Sequence, residues 1–196
     1  MPRAVDIDER RTVLTEAAAR LIARSGIEAA TMRDVAAEAG LTTGALTHYF
    51  ANKRELLLST FQASLERRRS QRPTREPVDP HRALQATLEG ALPLDDDRWR
   101  HWMVTIAFCA QAAGDDDLAT AQRDAYREFR NHVAALVRRA HGVDRGDAER
   151  LAERLIAAAD GIAMQALFDP EGWSAARQQR TLAELMPAIV GSIRPT

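Results

Sequence analysis

The sequence predicts an all-α protein of about nine helices. Three observations carry that reading. Apolar residues recur at three- and four-residue spacing along most of the chain, and strand-like alternation of β-branched and polar residues is absent. Alanine, the strongest helix former, supplies 37 of 196 residues. The breakers are few, and most prolines, among them Pro73, Pro77, Pro80, Pro93, Pro170 and Pro195, fall between the periodic stretches.

The first helix is expected from about Asp8 to Ser25. Val13, Leu14, Ala17, Ala18, Leu21 and Ile22 form its apolar face, and Gly26 ends it. Thr31 is a good N-cap for a second helix, with Asp34 in the capping-box position and Met32, Val35, Ala36 and Ala39 facing inward. Gly40-Leu41 breaks it after about two turns. A third short helix covers roughly Thr42 to Phe50. A fourth starts at Asn52, carries the stripe Leu56, Leu57, Phe61 and Leu65, and runs into the charged end Glu66 to Arg69.

The stretch Gln71 to Asp79, with Pro73 and Pro77 and little apolar material, is expected to connect two domains. Five more helices are expected over 80–92, 95–113, 115–141, 145–168 and 174–192. Pro93, Gly114, Gly142-Val143-Asp144 and Asp169 to Gly172 supply the breaks between them. The acidic runs Asp95 to Asp97 and Asp115 to Asp117 stand at helix starts, where the macrodipole favours them. Their spacing fits no EF-hand loop, so they are read as caps rather than as a metal site.

Composition narrows the function. One cysteine, Cys109, excludes a disulfide framework and a cysteine-rich zinc site, and fits a reducing compartment. No uninterrupted apolar run is long enough for a membrane span, and the charged N-terminus lacks the apolar stretch of a signal peptide. A soluble, cytoplasmic protein is expected. The formal charge of −1 hides an asymmetry: residues 1–72 carry 12 basic and 9 acidic residues, and the remainder 15 and 19. Catalysis is not expected. Cys109 with His101 or His132 would make a dyad in name only, because Cys109 lies in an apolar helix. Neither a glycine-rich phosphate loop nor a nucleophile elbow is present.

Residues 31–53 read TMRDVAAEAGLTTGALTHYFANK. Two short helices joined by a glycine-containing turn are the sequence form of a helix-turn-helix. Val35, Ala36, Ala39, Leu41, Leu46 and Phe50 would lock the pair together and to the first helix. Thr42, Thr43, Thr47 and His48 would point outward, with Tyr49 and Lys53 following. Such a face suits a duplex surface, since hydroxyls hold phosphates and threonine meets base edges or thymine methyl groups. Gly44, having no side chain, would let backbone approach a base. A plain helical hairpin with polar outer residues has the same spacing.

The stretch resembles the DNA-binding domain of TetR-family transcriptional regulators. The resemblance covers about residues 8–60. It lies in the leading helix, in Thr31 to Ala36, in Ala39-Gly40-Leu41, in Gly44, Leu46 and His48-Tyr49-Phe50, and in Asn52-Lys53 with Leu56-Leu57. It implies a three-helix DNA-binding domain over 1–52, a connecting helix over 53–72, and a helical ligand-binding and dimerisation domain over 73–196. It further implies that the third helix enters the major groove. Thr43, Gly44 and Thr47 would then meet bases. Thr31, Thr42, His48, Tyr49 and Lys53 would contact phosphates, with Arg33 a further candidate. Two positions depart from the family pattern: a long residue such as lysine or arginine is common where Thr43 stands, and an aromatic where Thr47 stands.

In the C-terminal half, Leu155 to Pro170 is similar to the penultimate helix of BetI-like members of that family. The resemblance implies a homodimer through a four-helix interface of the last two helices. Leu151, Leu155, Ile162, Leu182, Leu185, Met186 and Ile189 are the expected interface residues, with intramolecular core as the other reading of the same stripes. Pro187 should kink the last helix. The resemblance also implies an unidentified small-molecule effector, with no cofactor and no metal. The candidate lining residues are Trp99, Trp102, Met103, Ile106, Phe108, Cys109, Phe129, Asp160, Met164 and Phe168. The function implied is a ligand-released repressor acting on a near-palindromic operator. The rival reading is a helical ligand-binding or scaffolding protein that has lost DNA binding.

Overall fold

The structure, a computed structural model, describes residues 4–70 and 78–192. Nine helices and no strand make up the described residues. They are α1 (Ala4–Ala29), α2 (Met32–Glu38), α3 (Thr43–Thr47), α4 (Lys53–Ser70), α5 (Pro80–Glu89), α6 (Asp96–Ala112), α7 (Asp116–His141), α8 (Arg145–Phe168) and α9 (Ala175–Val190). Most of the expected connection, Gln71 to Pro77, lies outside the described residues.

Local rules account for most boundaries. Gly26 adopts φ 77°, a left-handed conformation that glycine tolerates, and the helical path of α1 kinks there before resuming to Ala29. Thr31 caps α2, accepting from Asp34 N at 3.2 Å and donating its hydroxyl to the Asp34 carboxylate. Gly40, at φ 70°, makes the turn between α2 and α3. Asn52 accepts from Glu55 N at 2.9 Å, and Glu55 reaches back to Ala51 N at 2.8 Å, which starts α4. Both acidic runs act as caps: Asp95 accepts from Arg98 N at 2.9 Å, and Asp115 from Leu118 N at 3.1 Å.

The described chain divides into two compact units. Met1–Gln71 and Arg100–Thr120 form one, and Arg72–Trp99 and Ala121–Thr196 the other. In the first unit α1 packs against α2 and α4, and α2 against α3. Leu14, Ala17, Ala18, Leu21, Ile22, Val35, Ala36, Leu46, Phe50, Leu56, Leu57 and Phe61 are buried there. Val13, expected inside, is 38% exposed, because the face of α1 is narrower than its run of apolar letters. α3 is shorter than expected. Thr42 is its N-cap and His48 its C-cap, and only Leu46 within it is buried.

Within this unit α4 and the later part of α6 run antiparallel. Phe61 stacks on Phe108 with ring centroids 4.1 Å apart. Ser64 Oγ lies 2.6 Å from His101 Nδ1, with Thr105 Oγ1 at 3.5 Å from Nε2. Burial of His101 and the nearby Arg68 push its pKa down to about 3. The folded state therefore keeps His101 neutral where the unfolded chain, with its pKa near 6.5, takes up a proton. Its contribution to stability is fully present above pH 6.5 and is lost as pH falls from there toward 3. The expected slope difference between wild type and His101→Gln is at most about 1.4 kcal/mol per pH unit in that window. Urea titrations at pH 7.0, 6.0 and 5.0 check it, and parallel curves for the two proteins would contradict it.

In the second unit α8 packs against α9, and α5 against both. Asp79 caps α5 ahead of Pro80, Asp144 caps α8 and Ser174 caps α9. α5 stops at Glu89 rather than 92. The width of the apolar face on α8 is explained by this packing. Leu151, Leu155, Ile162 and Leu182, expected at a dimer interface, are almost fully buried inside their own subunit, so they are core residues. Leu185 is exposed, and Met186 and Ile189 are half-buried. Pro187 lies inside α9.

Candidate nucleic-acid interface

α2 and α3 owe their placement to the side chains they bury. α3 is too short to persist alone, since helix nucleation is costly and one turn repays little of it. Leu46 and Phe50 are fully buried and hold the segment against the rest of the unit. Leu41 N donates to Ala36 O at 2.8 Å, closing the turn onto α2.

With the inner face so committed, Thr42, Thr43, Gly44, Thr47 and His48 are exposed, while Thr31, Tyr49 and Lys53 are half-buried. Arg33 is exposed, 3.7 Å from Asp34. The expected outward set therefore lies on one surface of α3 and its flanks. Two of its hydroxyls are already engaged. Thr42 accepts from Ala45 N at 3.1 Å, and Thr47 donates to Gly44 O at 2.8 Å. Thr47 thus keeps acceptor lone pairs and a methyl group for an outside partner. A Cβ built on Gly44 would meet only Thr42 Oγ1, at 3.9 Å. Nothing inside the subunit requires glycine there, so the bare backbone faces outward.

Two roles were not legible in the sequence. Lys53 Nζ donates to Ile27 O at 2.7 Å, tethering the segment beyond the α1 kink to the start of α4. The ammonium has two further donors for another partner. Arg11, on α1, donates through Nη1 to Tyr49 O and through Nη2 to Ser59 Oγ at 3.1 Å. Both contacts span long sequence separations, and neither motif nor periodicity signals them.

The candidate effector residues are not gathered within one unit. Trp102, Met103, Ile106, Phe108 and Cys109 belong to the first, and Trp99, Phe129, Asp160, Met164 and Phe168 to the second. Trp102 and Phe108 are buried; Trp99, Met103, Ile106, Phe129 and Asp160 are half-buried; Cys109 is exposed. Asp160 accepts from Tyr126 Oη at 2.9 Å. Met164 is 43% and Phe168 76% exposed on α8. Among the described residues no helix is long and apolar enough to cross a membrane.

Residues 14–60 match the family described as bacterial regulatory proteins, tetR family. Residues 80–191 match BetI-type transcriptional repressor, C-terminal. HTH-type transcriptional regulator PksA of Bacillus subtilis is 33% identical over 193 residues, covering 96% of this chain and 94% of the relative. A transcriptional regulator from Rhodococcus sp. Rha1 superposes with a TM-score of 0.84 at 29% identity, over 94% of this chain and 99% of that one. A regulator from Saccharomonospora viridis, solved in complex with choline, gives 0.80 at 25% identity, over 92% and 96%.

Proposed function

Because the chain belongs to the TetR family of DNA-binding transcriptional regulators, we propose that it is a homodimeric repressor released from a near-palindromic operator by a small organic effector. The observation that carries this reading is the division of α3, with Leu46 buried and Thr43, Gly44 and Thr47 open to solvent. Thr43, Gly44 and Thr47 are the base readers. Thr31, Arg33, Thr42, His48, Tyr49 and Lys53 face phosphates. The working parts are the reading domain over 1–52, the connecting helix over 53–72 and the ligand-binding and dimerisation domain over 73–196.

One short reading helix buries too little for tight specific binding, so two copies are needed, spaced about one or more helical turns of DNA apart. The outer face of α8 supports a C2 dimer. Ala157, Gly161, Met164 and Phe168 follow one another along it and are exposed, and Leu185 is exposed on α9. A stripe of this kind, uncharged from Ala157 to Phe168, is what a partner subunit would cover. These residues take the place of the four leucine and isoleucine side chains that the core claims.

Release requires that effector and operator bias the same element. Two contacts along α4 support α6 as that element, Phe61 with Phe108 and Ser64 with His101, and Arg54 at the start of α4 pairs with Asp115 and Asp117 just beyond the end of α6. The paired residue numbers rise along one helix as they fall along the other, so α4 and α6 form an antiparallel pair through which a shift of one could reach the other. By linkage, the operator must weaken effector binding by the factor that the effector weakens operator binding.

The test is selection of bound duplexes from random DNA with the full chain, followed by release from the selected duplex with a metabolite panel that includes choline. The expected result is two half-sites in inverted orientation and at least one compound that lowers affinity. Recovery of no enriched sequence would favour the rival reading, a helical ligand-binding or scaffolding protein without operator activity.

A further inference from the structure

We propose that Arg11 is a positioning residue for operator reading, setting the orientation of α3 without touching DNA. The inference rests on the DNA-reading role of α3. Arg11 lies on α1, 38 residues before the Tyr49 carbonyl to which it donates. That carbonyl belongs to the turn leaving α3, where helix ends leave acceptors without intrahelical partners. The same guanidinium donates to Ser59 Oγ at 3.1 Å and lies 3.6 Å from the Glu55 carboxylate, both on α4. Its carbon sits 4.3 Å from the centroid of the Phe50 ring. Glu55 in turn holds Ala51 N at 2.8 Å.

One planar cation thus binds every element that brackets the exit from α3. Its planar fork suits this, since arginine presents fixed donors in several directions where lysine is a point charge. Leu46 and Phe50 fix how deep the segment sits, but apolar packing is not directional. The hydrogen bond to the Tyr49 carbonyl is directional and sets the roll of the turn, and with it where Thr43 and Thr47 face. The donors used are taken by Tyr49 O and Ser59 Oγ of the same subunit, and the side chain is 35% exposed. Arg11 therefore differs from Arg33, whose side chain is 82% exposed.

The test uses the full chain, an operator obtained by selection and an unrelated duplex of equal length, each titrated at several salt concentrations. Failure of the wild type to distinguish the two duplexes would sink the DNA-reading role itself. Where the wild type does distinguish them, Arg11→Gln is expected to lose about tenfold or more on the operator, the scale of a charge-assisted hydrogen bond. Affinity for the unrelated duplex and both salt slopes should stay unchanged, because no phosphate contact is removed. Arg11→Lys should recover part of the loss by restoring one donor to the carbonyl.

A salt slope lower by about one unit, with equal losses on both duplexes, would make Arg11 a phosphate contact and overturn the proposal. Unchanged discrimination would overturn it as well. A merely stabilising role would lower the melting temperature while leaving the operator-to-unrelated ratio of the folded protein intact, which also counts against it. Should Arg11→Gln not fold, the double variant Ser59→Ala, Glu55→Gln removes the partners on α4 instead. A smaller loss of discrimination at constant salt slope is then expected, and no loss would refute the role.

Discussion

Phe168→Asp is expected to leave the subunit folded and strip it of its partner. Phe168 is 76% exposed at the end of α8, and Met164, one turn back on the same outer stripe, is 43% exposed. A carboxylate at that position costs the isolated subunit almost nothing, because surface substitutions usually change stability by less than about 0.5 kcal/mol. In a dimer that covers this stripe the same carboxylate would be buried in place of an apolar ring, once from each subunit. Light scattering at micromolar concentration should report a monomer, with helicity by circular dichroism unchanged. Operator affinity should fall by about 10²–10⁴, the gain that linking two reading heads supplies. A dimer that survives the substitution, but no longer responds to effector, would return Phe168 to the ligand-lining role that its place beside Asp160 and Met164 first suggested.

Leu46→Ala should strongly destabilise the reading head. Leu46 is fully buried and is the one buried residue within α3. Truncating such a leucine typically costs about 2–5 kcal/mol, the lost transfer term plus the cavity left behind. A helix of five residues has no reserve of its own to hold the shape. Urea unfolding should show the loss, and sequence-specific binding should disappear at temperatures where the rest of the helical signal persists. Thr47→Ala, one residue further along and exposed, supplies the contrast. Its stability should stay within about 0.5 kcal/mol of wild type while its base preference changes. Equal destabilisation by both substitutions would mean that α3 does not have one buried and one free face.

Much of the architecture was legible in the one-dimensional pattern, because the signals are local. Thr31 with Asp34, Gly40 and Asp144 mark boundaries where the structure has them, while Gly26 marks a kink in α1 rather than its end. A cap and its helix are separated by a few residues, so the physics that ends a helix is written beside it. The exposed face of α3 was legible for the same reason. The outward residues of α3 alternate with Leu46 over a single turn, and the TetR motif spans a continuous stretch. The acidic runs before α6 and α7 were likewise readable as caps.

Where the local pattern was ambiguous, it failed in a regular way. Val13 and Leu14 are neighbours and equally apolar, yet only Leu14 is buried. On α8 the apolar letters wrap most of the helix, so periodicity could not separate the side turned to the core from the side turned out. Packing against α5 and α9 assigned Leu151, Leu155 and Ile162 to the inside and left Met164 and Phe168 outside.

The sequence by itself determined the class of the protein, the order of its helices, and the exposed threonine and glycine face of α3. Only the tertiary structure decided that Lys53 tethers Ile27, that Arg11 grips the exit from α3, and that His101 of α6 is held neutral against α4. The reason is separation along the chain. Caps and amphipathic faces are short-range properties of neighbouring residues, whereas these side chains find partners 26, 38 and 37 positions away. Chain folding, not local pattern, brings such groups within hydrogen-bond reach.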